Sequence, residues 1–140
     1  MYLLDNDVFN LVIAGEEKTA QRIQQHAGLI FLSSVAAEEL LIGRMSGLNR
    51  SRSPRNSLSL AQAHEDFTQA LEELRLFPLL VYSEQAEVIF KTFTPSIIRI
   101  GPQDCRIAAQ AMAHGMTVIT RNLRDFQAIG ALCEDWSAQC

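Results

Sequence analysis

Residues 101–126 read GPQDCRIAAQAMAHGMTVITRNLRDF, and this stretch decides the fold. Pro102 just inside the start and Gly115 just past the end bracket a helix over 102–114. Residues 116–120, MTVIT, then turn apolar and β-branched, which predicts a buried strand. The rest of the chain keeps this alternation. Tyr2-Leu3-Leu4 and Leu29-Ile30-Phe31-Leu32 are short apolar runs that suit buried strands, and Leu79–Tyr82 is a third. Helices are expected over 16–27, 35–45, from a Ser59/Gln62 capping box to about Leu76, and over 84–93 behind Ser83. A weak short strand is expected near Leu132. Strands alternating with helices call for an α/β fold of three layers, a mostly parallel central sheet flanked by helices.

The chain has 140 residues, with 12 Lys+Arg against 16 Asp+Glu and a net charge of −4. That length suits a single domain over 1–140. Only 7 Gly and 4 Pro argue against disorder and fibrous classes. No run approaches the roughly 20 apolar residues of a membrane span. MYLLDNDVF has no basic lead, so no secretory signal is expected. The three cysteines, Cys105, Cys133 and Cys140, lack CxxC spacing and fit a reducing cytoplasm. No P-loop, GxGxxG or GxSxG motif occurs.

Functional sites in parallel α/β sheets form outside the carboxyl ends of the strands. Asp5 stands directly after the first strand. Thr120, Arg121, Asn122 and Asp125 follow the fourth. Asp104 opens the helix over 102–114, and Glu38 and Glu39 lie in the first turns of the helix after the second strand. An acid in a helix's first turn is ordinarily explained by the macrodipole. Asp5 is harder to dismiss in this way. Converged carboxylates repel by about 4 kcal/mol per pair at 4 Å and an effective dielectric of 20. A divalent cation removes that cost, and an oxygen-only set without His or Cys suits Mg²⁺ or Mn²⁺. Such ions serve phosphodiester displacement.

Four motifs in order, LLDND at 3–7, EELLIG at 38–43, QDCRIAAQAMAHG at 103–115 and TVITRNLRDF at 117–126, resemble the PIN-domain ribonucleases, in particular the VapC-like toxins of bacterial and archaeal toxin–antitoxin operons. The resemblance covers nearly the whole chain and implies a PIN-like fold and a Mg²⁺- or Mn²⁺-dependent endoribonuclease. Asp5 matches the family's first acid. Glu39 matches the second, because Glu39-Leu40 is followed by Gly43, and Glu38 is then a solvated neighbour. Asp104 matches the third. The fourth position falls on Asn122 or Asp125, with Asp125 as the charge and Asn122 as a polar ligand or water-positioning group. The resemblance therefore implies Asp5, Glu39, Asp104 and Asp125 as catalytic residues and Asp5, Asp104, Asn122 and Asp125 around the metal, with Thr120 orienting a carboxylate. The sequence departs from the family after the first acid, where Asn6 and Asp7 stand. Asp7 is read either as an outer ligand or as a helix N-cap.

Ten of the 12 cations are Arg, whose planar fork suits phosphate. Arg44 to Arg55 holds four of them and no acid. Arg50, Arg52 and Arg55 are therefore candidate RNA contacts, against the alternatives of a solvated loop or an antitoxin contact. Arg121 and Arg124 flank Asn122 and are candidates too, against a structural salt bridge. His26, His64 and His114 lie in helical stretches away from the acids, and Trp136 is read as a packing residue. The implied partners are RNA, a cognate antitoxin and a second copy of the chain, through the helix from Ser59 and the one after Ser33. The family's antitoxins lay a C-terminal segment across the toxin's groove, some with an Arg in the acidic site. Against the nuclease stands a non-catalytic PIN-like binding module. A phosphoacceptor receiver is rejected, because serines follow the second strand and no Lys follows Lys91.

Overall fold

A computed structural model describes residues 1–53 and 59–138. The element order is β1 (Tyr2–Leu4), α1 (Asn6–Ile13), α2 (Glu17–Gln25), β2 (Ile30–Ser33), α3 (Ser34–Ser51), α4 (Leu60–Glu73), β3 (Leu79–Leu80), α5 (Glu84–Thr92), α6 (Pro95–Ile98), α7 (Pro102–His114), β4 (Thr117–Ile119), α8 (Leu123–Ile129) and β5 (Cys133–Glu134). The strands form one sheet in the order β3-β2-β1-β4-β5, and every pairing is parallel. Leu4 stands opposite Leu32 on one side and Ile119 on the other. The chain winds outward from β1 through β2 to β3, then returns to place β4 on the other flank of β1. That reversal between β1 and β4 is the switch point at which α/β sheets open a crevice.

The central strands carry the core. Leu3, Leu4, Leu32, Val118 and Ile119 are fully buried, as are Ile107 and Ala108 of α7 and Phe126 of α8. Pro102 and Gly115 frame α7 as expected, with Gly115 in the left-handed region at φ +63°. Trp136 is buried, stacking on His26 with ring centroids 4.8 Å apart, so both are packing residues.

Several expectations change. The segment after Asp5 is a helix, α1, which the sequence signals only through the cap reading of Asp7. Its NDVFNLVI is poor in helix formers, and burial of Val8 and Phe9 holds it instead. Asp5 is its N-cap, accepting from the Val8 amide at 2.8 Å, so Asp7 is not the cap. α3 runs to Ser51 rather than ending near Met45. Gly43 and Gly47 weaken it locally, but Leu48 is buried. Residues 49–51 are therefore helical, and the remainder of the expected loop, residues 54–58 with Arg55, lies outside the described residues, as does Cys140. β3 stops at Leu80, because the Tyr82 amide donates to Ser34 Oγ at 3.1 Å and Val81 turns out to solvent.

Gln110 is a fully buried polar side chain whose place in a helix carries no sequence signal. Its Nε2 donates to the Leu80 carbonyl at 2.9 Å and to Ser34 Oγ at 3.3 Å, and its Oε1 accepts from Ser33 Oγ. One residue of α7 thus ties down β3 and the start of α3. Gln110→Leu keeps the approximate volume but orphans these partners. It should cost about 1–3 kcal/mol, read as a lower urea midpoint with an unchanged slope. An unchanged midpoint would show that the clamp is dispensable.

Candidate active site

At the carboxyl ends of β1 and β4, a cavity of about 310 Å³ is lined by Asp5, Glu39, Asp104 and Asn122, with Asn6 and Asn10 of α1 on its wall. Four separate segments deliver these groups. Asp5 leaves β1 and caps α1. Glu39 comes from the second turn of α3. Asp104 lies in the first turn of α7, and Asn122 caps α8. Asp125 stands one step behind: Asn122 Nδ2 donates to Asp125 Oδ2 at 2.8 Å and reaches Asp104 Oδ2 at 3.5 Å. The Asn122 amide therefore stands between two carboxylates.

The crowding shows in the electrostatics. Asp5 has its pKa pushed up to about 6, mainly by burial, with Asp7 and Asp104 adding repulsion, while the Val8 amide and the Thr120 hydroxyl pull it down. Thr120 is itself buried and accepts from the backbone N–H of Asn122 at 2.9 Å, so it ties the end of β4 to the site. Burial, then the charge of Asp104, raises Glu39. Burial, then Asp125, raises Asp104. Three carboxyls held above their ordinary range mark a place where negative charge is costly without a cation.

The donor set fits a hard divalent cation. It is all oxygen, and Asn6 Oδ1 is a buried acceptor without a partner in the same wall. Among the described residues, no three His, Cys, Asp or Glu side chains already stand in metal-ligating geometry. The Asn122 N–H group occupies the gap between Asp104 and Asp125, and rotation of that amide would present its oxygen instead.

The basic candidates separate. Arg121 forms a fork on Asp7, Nε to Oδ2 and Nη2 to Oδ1 both at 2.7 Å. It is thus the structural salt bridge of the two readings, and it lowers the Asp7 pKa. Arg124 is exposed on α8. Arg50 is exposed in the last turn of α3 and Arg52 caps it. At 1.5 Å per residue Arg50 lies about 17 Å along the helix from Glu39, farther from the acids than a loop directly after Met45 would be. Asn6 stands where the resembling family has a hydroxyl residue that serves a carboxylate, and Asn10 is not among the expected site residues. Their i, i+4 spacing puts both on one face of α1, a signal invisible until that helix is recognised.

Residues 2–132 match the family model of the PIN domain. This chain belongs to the PIN domain family. The PIN domain is 28% identical over 141 residues to the tRNA(fMet)-specific endonuclease VapC of Salmonella typhimurium, covering 96% of this chain and 97% of that protein. It is likewise 28% identical to ribonuclease VapC2 of Haemophilus influenzae, with the same coverage. Among solved structures, it superposes with a TM-score of 0.71 on a chain of the DNA-bound VapBC from Salmonella typhimurium, at 24% identity over 96% of this chain and 97% of that one. The TM-score is 0.72 against a chain of FitAB bound to an IR36 DNA fragment, at 22% identity over 100% and 98%. At these identities the structural likeness establishes the fold, and the three-layer α/β PIN architecture read from the sequence is the one observed. No described helix is long and apolar enough to cross a membrane.

Proposed function

We propose that this PIN domain is a Mg²⁺- or Mn²⁺-dependent endoribonuclease and the toxin of a toxin–antitoxin pair, working in the cytoplasm. The observation that carries the reading is the convergence of Asp5, Glu39 and Asp104, from three elements far apart in sequence, on one cavity at the β1/β4 switch point. The ribonuclease names of its relatives support the substrate class. In this reading Asp5, Glu39, Asp104 and Asp125 are the catalytic acids, with Asp5, Asp104, Asn122 and Asp125 around the metal. When bound, the cation supplies Lewis-acid stabilisation of the charge that develops on a phosphodiester during in-line displacement. The chain's own part is positioning. The Val8 amide and the Thr120 hydroxyl fix Asp5. The Asn122 amide holds Asp125 behind Asp104, and the Arg121–Asp7 fork joins α1 to the segment after β4 at the cavity's edge.

Purified protein incubated with total RNA should cleave it with Mg²⁺ or Mn²⁺, stop in excess EDTA, and recover when the ion is restored. Cleavage that persists under full chelation would overturn the metal-dependent reading.

A cognate antitoxin and a second copy of the chain are the proposed protein partners. Ile42 and Met45 on α3 and Leu60 and Leu71 on α4 are large apolar side chains left exposed, and α3 and α4 pack side by side. They offer a face for a two-fold dimer, read by light scattering as twice the 15.6 kDa chain mass. RNA phosphates are proposed to dock on Arg124, Arg50, Arg52 and Arg55, with Arg121 available if a phosphate displaces Asp7. The triple substitution of Arg50, Arg52 and Arg55 by Ser should weaken RNA binding and make its salt dependence shallower, by about 0.7 in log–log slope for each phosphate no longer neutralised. Affinity measured at several salt concentrations without antitoxin checks this. An unchanged slope would remove RNA from that segment.

A further inference from the structure

A second cavity, of about 530 Å³, lies beside the acidic one and is lined by Ser34, Val35, Glu38, Tyr82, Gln103 and Arg106. The two share a wall built from neighbouring residues. Glu38 and Gln103 face this cavity, while their successors Glu39 and Asp104 face the other. Anything held here is a direct neighbour of anything held by the acids. The polar groups are already arranged. Gln103 Nε2 donates to Glu38 Oε1 at 3.0 Å, and Arg106 Nη1 donates to Gln103 Oε1 at 2.8 Å. The Arg106 guanidinium is seated over the Phe90 ring, 4.7 Å from its centroid, a contact that orients its plane. Among the described residues Glu38 Oε2 takes no hydrogen bond, whereas the Tyr82 hydroxyl is buried in the wall and turned toward Glu87.

Glu38 offsets the charge of Arg106, so the cavity has no net positive charge with which to hold a phosphate. It asks for a neutral group with N–H donors on one side and an acceptor on the other. Unpaired RNA bases present such Watson–Crick edges. Guanine alone among the four puts two adjacent donors, N1–H and the 2-amino group, beside an acceptor, O6. We propose that this cavity is a nucleobase subsite that selects a guanine flanking the cleaved phosphate, with Glu38 taking the two donors and Arg106 facing O6; this rests on the ribonuclease reading above. Gln103 is a positioning residue that couples Glu38 to Arg106.

The test is cleavage of a single-stranded RNA pool randomised in sequence, with the cut ends sequenced, for the wild-type chain and Glu38→Gln in Mn²⁺. The wild type should enrich guanine at one position next to the cut. Glu38→Gln still accepts from Gln103 but presents an N–H to guanine's donors, and its guanine preference should fall roughly tenfold. The preference is a ratio, so it is read whatever the overall rate. Identical base distributions for the two proteins would overturn the subsite. If the wild type cleaves nothing with either ion, the ribonuclease reading fails, and the cavity is judged by binding. ¹⁵N-labelled protein in chelator is titrated with 5′-GMP and 5′-AMP. GMP should shift the Gln103 side-chain amide signals, and AMP should leave them in place. Equal response to both, or none, would overturn the subsite.

Discussion

Asp104→Asn should lower RNA cleavage by on the order of a hundredfold to a thousandfold, the loss that follows removal of one preorganised charge-stabilising group. Asp104 sits in the first turn of α7, half-buried, with Asn122 and Asp125 on one side and Glu39 on the other. The amide keeps the shape of the carboxyl and removes its charge. The fold should therefore persist and the metal-free protein should become somewhat more stable, because burial and Asp125 both oppose ionisation there. Gel assays of RNA cleavage, with circular dichroism and thermal unfolding of the same samples, separate loss of chemistry from loss of structure. A folded variant that cleaves within about twofold of wild type would remove Asp104 from the site.

The second large effect is on stability. The Asp5 carboxyl titrates near 6 in the folded chain against 3.8 for the ordinary group. Below about pH 3 it is protonated in folded and unfolded chains alike, and its ionisation costs the fold nothing. From about pH 3.8 to 6 the unfolded chain releases its proton first, and the stabilising advantage of the folded, protonated form is lost as the pH rises to 6. Above that, keeping an ionised carboxylate buried costs the fold up to about 3 kcal/mol. Asn is as good an N-cap as Asp, so Asp5→Asn removes the cost and keeps the Val8 hydrogen bond. Urea unfolding in chelator should show Asp5→Asn more stable by about 2–3 kcal/mol at pH 7.5, with the gain falling to about 0.5 kcal/mol at pH 4. Adding Mn²⁺ should stabilise the wild type and not the variant. A gain independent of pH, or a destabilised variant at pH 7.5, would contradict this electrostatic account.

Much of this was legible in the sequence because strong local signals agreed with the tertiary structure. Pro102 and Gly115 framed α7, and the β-branched run after them gave β4. Acids at the ends of apolar strands pointed to the switch point, and the structure brings Asp5, Glu39, Asp104 and Asn122 to one cavity. What escaped was held by long-range packing and hydrogen bonds. The propensity of α1 is poor, and the helix exists through Val8 and Phe9 in the core, so Asn6 and Asn10 did not read as one face. The length of α3 is a packing result that two glycines disguised. Gln110 looked like one polar letter in an alanine-rich helix, yet its partners lie 30, 76 and 77 residues away. The fork between Asp7 and Arg121 spans 114 residues, and no local spacing could have paired them.

In the proposed function, carboxylates from separate segments form one divalent-cation site. Its most direct test is Mn²⁺ binding to the metal-stripped chain, followed by electron paramagnetic resonance of the free ion, for wild type and for Asp104→Asn. The wild type should take up Mn²⁺ with a saturating stoichiometry, Mg²⁺ should compete, and Asp104→Asn should leave the ion free at the same concentrations. Equal uptake by the two proteins, or none by the wild type at millimolar Mn²⁺, would contradict it.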